Sequence, residues 1–216
     1  MMKRFGKIFV ICLLVLSLLG VSGAQEKEGA AQLKVQVLRI PAAIMISREM
    51  TGPYTQHPAA FAQLMEYIGR NYRAVGACFG IYPDDPDAVK ASELRWEIGV
   101  RVIPGEPLGF GNNLPIEQLP AMSEVQLRKT LERMRQPEAP YKLKILADTT
   151  AAVVDSTVAM APQDGLAIIP WMPKNGYVQT GPTRMEYLSH EGSPTELKVK
   201  IIVPVKKRAS GLKLSN

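Results

Sequence analysis

The side chains of this chain that could do chemistry sit mostly in stretches that read as β-strands. Glu97, Gly99 and Arg101 alternate with Trp96, Ile98, Val100 and Val102. Successive side chains on a strand point to opposite faces, so the apolar set should pack under helices while Glu97 and Arg101 face an open side. Lys198, Lys200 and Ile202 alternate in the same way with Val199, Ile201, Val203 and Val205. Glu186 precedes Tyr187, Trp171 is flanked by Pro170 and Pro173, and Tyr82 and Tyr177 close two further apolar segments. Aromatic walls with a few charged anchors are what a small-molecule groove needs. Each residue also has a plainer reading. Lys200 either meets a ligand or extends its ammonium to water; Trp171, Tyr82, Tyr177 and Tyr187 either line a groove or fill a core; Glu186 either anchors a ligand or is a solvated strand residue.

Other chemistries find less support. Cys78 lies beside Phe79-Gly80 and reads as a buried, inert thiol. His57 and His190 are far apart and lack cysteine partners, so no metal is expected. Asp84-Asp85-Pro86-Asp87 reads as turn chemistry, not as a calcium loop. There is no Gly-x-Ser-x-Gly elbow and no phosphate-cradling glycine motif. No catalytic residue and no cofactor is predicted.

The elements that must position these residues come in two matching sets. Glu93-Leu-Arg-Trp-Glu-Ile-Gly-Val-Arg-Val102 matches Glu196-Leu-Lys-Val-Lys-Ile-Ile-Val-Pro-Val205, with Glu97 and Lys200 in equivalent places. Gly76 and Tyr82 are spaced like Gly181 and Tyr187, which puts Glu186 where the first copy has Ile81. Lys34-Val-Gln-Val-Leu38 matches Lys142-Leu-Lys-Ile-Leu146. The expected fold is α+β: a duplicated β-α-β-β unit forming one pseudo-twofold, antiparallel-rich sheet, with helices on one face and a concave groove on the other.

In the first copy, residues 33–49 read as one long strand or two broken at Pro41. Residues 58–70 carry Phe61, Leu64, Met65 and Ile68 at helical spacing, and residues 76–82 and 94–103 read as strands. The second copy has strands at 141–156, 183–188 and 196–205, and a helix near 163–172 that should end or kink at its prolines. The intended boundaries are repeat one at 33–104, a connector at 105–140 containing an amphipathic helix over 122–135, and repeat two at 141–206. A solvated basic tail fills 207–216.

Composition bounds the rest. Lys3, Arg4 and Lys7 precede an apolar run over 8–19 and the small residues Ser22-Gly23-Ala24, the pattern of a signal peptide cleaved after Ala24. The run is shorter than the roughly 20 residues of a membrane span, so no stable membrane insertion is expected after cleavage. Residues 25–32 read as a flexible leader. The whole chain carries 26 Lys+Arg against 20 Asp+Glu, a net +6; without those three N-terminal cations the net is +3, too mild to call for nucleic acid. Of two cysteines only Cys78 would remain, so the exported fold rests on packing without an internal disulfide.

Gly52-Pro-Tyr54, Phe79-Gly-Ile-Tyr82, Asp84-Asp-Pro86 and Leu94-Arg-Trp96, followed by Trp171-Met-Pro173, Asn175-Gly-Tyr177, Gly181-Pro182, Glu186-Tyr187 and Val203-Pro-Val205, resemble the GyrI-like small-molecule-binding domain, the effector-binding domain of AraC- and MerR-type regulators. The resemblance spans residues 33–206. It implies two β-α-β-β halves joined edge to edge and a groove for amphipathic or cationic molecules. With a signal peptide in place of a DNA-binding helix-turn-helix, the resemblance points to a stand-alone, secreted or periplasmic form that binds a small amphipathic molecule and no nucleic acid.

Many members of that family carry a glutamate four residues before the proline of the final strand. Here the position holds Lys200, which would repel a cation and favours an anionic group, or is neutralised by Glu97 across the pseudo-twofold. Three alternatives remain beside non-enzymatic binding. Some relatives hydrolyse reactive toxins, a reading in which Glu186 would be a base with Tyr187 or Trp171 as a wall. The SOUL haem-binding family is similar to this unit, though only His57 or His190 could ligate iron. The groove could also have become a structural or contact surface.

Overall fold

The computed structural model describes residues 33–105, 121–188 and 196–208. The signal-peptide, leader and tail readings, the Gly/Pro-rich part of the connector and His190 lie outside these residues. The elements are β1 (Gln36–Ile40), β2 (Ala43–Thr51), α1 (His57–Asn71), β3 (Arg73–Tyr82), β4 (Arg95–Ile103), α2 (Glu124–Arg133), β5 (Lys142–Leu146), β6 (Thr149–Thr157), α3 (Ala161–Lys174), β7 (Tyr177–Gln179), β8 (Thr183–Tyr187) and β9 (Lys198–Lys207). The fold is α+β, as the alternating patterns indicate.

All pairings are antiparallel, in the order β1-β6-β9-β8-β3-β4-β2-β5, with β7 added beside the end of β9. Both long strands break once, at Pro41-Ala42 and at Ala147-Asp148. Proline cannot donate to a ladder, which accounts for the first break. The register does not slip there: Ile40 faces Thr149, and three residues further on Ala43 faces Leu146. One continuous ladder therefore runs through both bends, curls the sheet into a half-barrel and ties its two ends together.

The curl gives the sheet two unlike faces. On the outer face α1 buries Ala60, Phe61, Leu64 and Ile68 against Ile44, Ile46, Trp96, Ile98, Val100 and Val102. Each such side chain taken fully out of water contributes about 1.5–3 kcal/mol. Under α3, Ile168 and Met172 pack on Ala152, Val154, Val199, Ile201, Val203 and Val205. The inner face holds two smaller apolar clusters, Ile40, Val75, Ala151, Val153 and Ile202 in one, and Met45, Phe79, Ile81 and Leu146 in the other.

Several details differ from expectation. α3 runs through Pro170 and Pro173 to Lys174. The two carbonyls that lose their donors belong to Leu166 and Ile169, both more than half exposed, so water can take their place. Residues 141–156 form two strands, and β7 was too short to leave a periodic signal. Lys206 and Lys207 extend β9, where they pair with Val178 and Tyr177, so the basic tail begins later than expected. α2 is trimmed to ten residues by the Ser123–Gln126 capping box. In β3 the register against β4 shifts between Val75 and Phe79, a bulge that Gly76 permits with φ of 73°.

His57 opens α1 inside an aromatic cluster of Tyr54, Phe61, Tyr82 and Trp96, its ring centroid 4.2 Å from that of Trp96. Its Nε2 is enclosed without a partner, and burial pushes its pKa down to about 4 from an ordinary 6.5. The unfolded chain thus binds the proton more tightly than the folded one. Stability from keeping His57 neutral should be fully present above about pH 6.5 and fall, by up to about 3 kcal/mol, as pH drops to about 4. Melting measured from pH 7 to 4 should show this slope, and His57→Phe should flatten it.

Candidate functional site

Because paired residues on neighbouring strands share a face, the sheet register sorts the candidate residues. Tyr82 and Tyr187 lie on the outer face, at the seam where β3 meets β8, with their hydroxyls 3.0 Å apart. Burial, then the neighbouring Tyr187, raises the Tyr82 phenol well above its usual range. Trp171 stacks on Tyr177 at 5.8 Å between centroids, at the end of α3, and both rings pack against the outer cluster under that helix. Glu97, Glu186 and Lys200 lie on the inner face. The sheet therefore separates the four aromatic candidates from the three charged ones, and no single groove is lined by both.

The inner face also differs from an open groove. The continuous ladder draws its edges together, and Arg101, Phe79, Met45 and Ile202 are all at most 1% exposed. Gly99 lies beneath this packing: a Cβ there would come within 2.7 Å of the Met45 methyl and 3.2 Å of the Phe79 ring, so only glycine lets both lie flat.

Charge is concentrated in this enclosed space. Arg101 donates from Nη2 to Glu186 Oε1 at 2.6 Å, with both side chains 2% exposed, and its guanidinium stands 5.2 Å from the Phe79 ring centroid. Glu186 is thus neither solvated nor free. Glu97 is not neutralised by Lys200; it takes Lys144, whose Nζ lies 2.6 Å and 2.7 Å from its two carboxylate oxygens. Lys200 has Asp155 at 3.8 Å, the residue directly opposite it on β6. Lys144 and Arg101 both stand opposite Met45 of β2, so Lys144 shares the inner face with Glu97 and its long side chain reaches along that face to the carboxylate.

Arg184, Ser47 and Lys144 were not singled out from sequence, and Arg101 was placed on this face without a role. Arg184 is 9% exposed, and its Nε and Nη1 find no acceptor; Ser47 Oγ and Arg101 Nε are likewise enclosed and unpaired. Burial first, then repulsion from Arg101, lowers the Arg184 pKa below its usual value, against the attraction of Glu186 and Glu97. A signal for Arg184 was present: it is two residues from Glu186 on one strand, so alternation puts both on the same face.

A small-molecule family model matches residues 33–206, nearly all of the described chain. The chain belongs to the GyrI-like small molecule binding domain family. Among solved structures, the C-terminal domain of EcmrR is similar at 16% identity and TM-score 0.61, over 82% of this chain and 99% of that one. A complex of EcmrR with DNA matches at 17% identity and TM-score 0.59, covering 81% of this chain, which spans only 57% of the EcmrR chain. A hydrolase from Listeria innocua matches at 12% identity and TM-score 0.51, over 82% of this chain and 94% of that one. At such identities these likenesses concern the fold alone. No curated protein sequence matches the chain.

In this GyrI-like fold the other chemical candidates are structural. Cys78 is buried with its Sγ 2.9 Å from Met65 Sδ, and burial pushes its thiol up to about 12, far from a reactive thiolate. Asp84 accepts from the Arg95 backbone at 2.7 Å and from its guanidinium, while Asp85 accepts from the Asp87 N–H, which is turn chemistry. No helix among the described residues is long and apolar enough to cross a membrane.

The buried pair should be expensive to break. Glu186→Gln leaves the Arg101 charge enclosed without its counter-ion and should lower unfolding free energy in urea by about 3–5 kcal/mol. Replacing both partners with apolar residues (Arg101→Met with Glu186→Leu) should recover most of that loss. A double variant as unstable as the single one would contradict the pairing.

Proposed function

We propose that this protein binds an amphipathic small molecule on its inner face, without catalysis, and works outside the cytoplasm. The observation that carries the reading is the enclosed charge. Arg101, Arg184, Glu97 and Glu186 come from two strands on either side of β3, and all are at most 12% exposed in their side chains or whole residues. Desolvating four charged groups costs a fold several kcal/mol per ion, and such clusters recur where a protein has to meet a ligand. Apolar clusters flank them on both sides, which suits a molecule with a polar head and a hydrocarbon body.

The same geometry argues against hydrolysis. A general base must reach a substrate or water, and the Glu186 carboxylate is held by Arg101 and shut from solvent. Of the two histidines that could ligate haem iron, His57 belongs to the outer aromatic cluster with its Nε2 enclosed, and His190 lies outside the described residues. The recurring order of strands and helices in the two halves we read as the trace of an internal duplication. Export rests on the basic, apolar and small-residue pattern of the first 24 residues, and N-terminal sequencing of exported protein should begin at Gln25.

A second reading has one observation in its favour: Phe79 and Met45 pack so closely over Gly99 that the inner face resembles a core. A degenerate, purely structural inner face would follow. Thermal melting decides between them. A panel of amphipathic compounds with different heads should contain at least one that raises the melting temperature saturably. A ligand at a hundredfold excess over its Kd contributes about 2.7 kcal/mol, which is about 5–10 °C for a domain of this size. If none shifts the transition, the structural reading stands.

A further inference from the structure

The buried cations of the inner face are not all paired. Arg101, Lys144 and Lys200 each have an acid within 4 Å, namely Glu186, Glu97 and Asp155. Arg184 has none among the described residues, and two of its three nitrogens are enclosed without an acceptor. Arg184 is thus a cation of this face, more than nine-tenths buried, without a carboxylate in direct contact among the described residues. A guanidinium cannot shed its proton to escape such a place, so the charge persists and demands a partner.

We propose that Arg184 is the docking point for the carboxylate head of an amphipathic molecule. The inference rests on the binding function proposed above and gives it a ligand class. Arg184 lies on β8 directly between Ile81 of β3 and Ile202 of β9, with Val153 next in the row. The head group would therefore sit among aliphatic side chains. The hydrocarbon body would continue along the cluster of Ile40, Val75, Ala151, Val153 and Ile202.

Both edges of the guanidinium that a carboxylate can grip retain a free N–H, since Nε belongs to one and Nη1 to the other. The two nearest acids do not fill the role: Glu186 is taken by Arg101 and Glu97 by Lys144. A cationic head would meet Arg184 instead, flanked on the same face by Arg101 and Lys200. Ser47 Oγ, 1% exposed and also without a partner, is a further polar group on this face that a bound ligand or its water could satisfy.

The test uses three probes with one tail, each below its micellar concentration: dodecanoate, dodecyltrimethylammonium and dodecyl glucoside. Calorimetric titration of wild-type protein at low salt should rank dodecanoate first, by about tenfold or more over the cationic probe, the scale of one charge-assisted contact. Arg184→Met should lose that factor for dodecanoate while leaving the glucoside unchanged, and Arg184→Lys should keep part of it. Urea midpoints establish that the variants are folded; if Arg184→Met is not, the wild-type ranking and Arg184→Lys decide. Dodecanoate binding no tighter than the cationic probe, or unaltered by loss of Arg184, overturns the inference while binding itself stands. Failure of all three probes on the wild type removes the binding function, and this inference with it.

Discussion

One antiparallel ladder governs this molecule. The arm from β1 into β2 and the arm from β5 into β6 pair in a single register through both of their bends. Without that ladder the strands would form an open curved sheet with two free edges, a liability for pairing with other chains. With it, the ends of the sheet are joined through the chain itself, and the concave side becomes an enclosed space. Everything unusual about the inner face follows from that closure.

Closure raises the cost of charge. An arginine on an open sheet face would be hydrated, and its pairing with a glutamate would matter little. Inside the curl the Arg101–Glu186 pair has lost its water, so its geometry becomes a condition of folding. The same enclosure makes Arg184 informative. A surface arginine without a partner is ordinary; a buried one is a standing electrostatic debt, which the protein must meet by water, by distant carboxylates or by a ligand.

Much of the fold could be read from the chain because it rests on local periodicity. Alternation assigned Trp96, Ile98, Val100 and Val102 to the helix side, and the same reasoning held for Val199, Ile201, Val203 and Val205. What alternation cannot supply is register. Tyr82 and Tyr187 fall on the outer face because Gly80 pairs with Met185 at the β3–β8 seam, a long-range fact that no local pattern contains. The extent of the curl was equally invisible: the face containing Glu97 and Arg101 was expected to be the open floor of a concave groove, and alternation does not say how far the sheet closes over it. Glu97 takes Lys144 and not Lys200 because β5 pairs with β2 on the far side from β4, a neighbour relation that no local pattern contains.

The two places where the matched sequence segments disagree in charge acquire different meanings once register is known. Glu186, opposite an isoleucine in the matching segment, serves as counter-ion to Arg101, so the substitution is explained by a neighbour within the fold. Lys200 has Asp155 beside it and needs no ligand to account for it. The residue that the fold leaves unexplained is Arg184, which the sequence match of residues 76–82 with 181–187 sets against Phe79, a core residue with no exposure. An aromatic ring in that position completes packing by itself. A guanidinium there brings charge into an apolar row, where Glu186 and Glu97 attract it from a distance but neither pairs with it directly, and a bound anion would supply that missing contact.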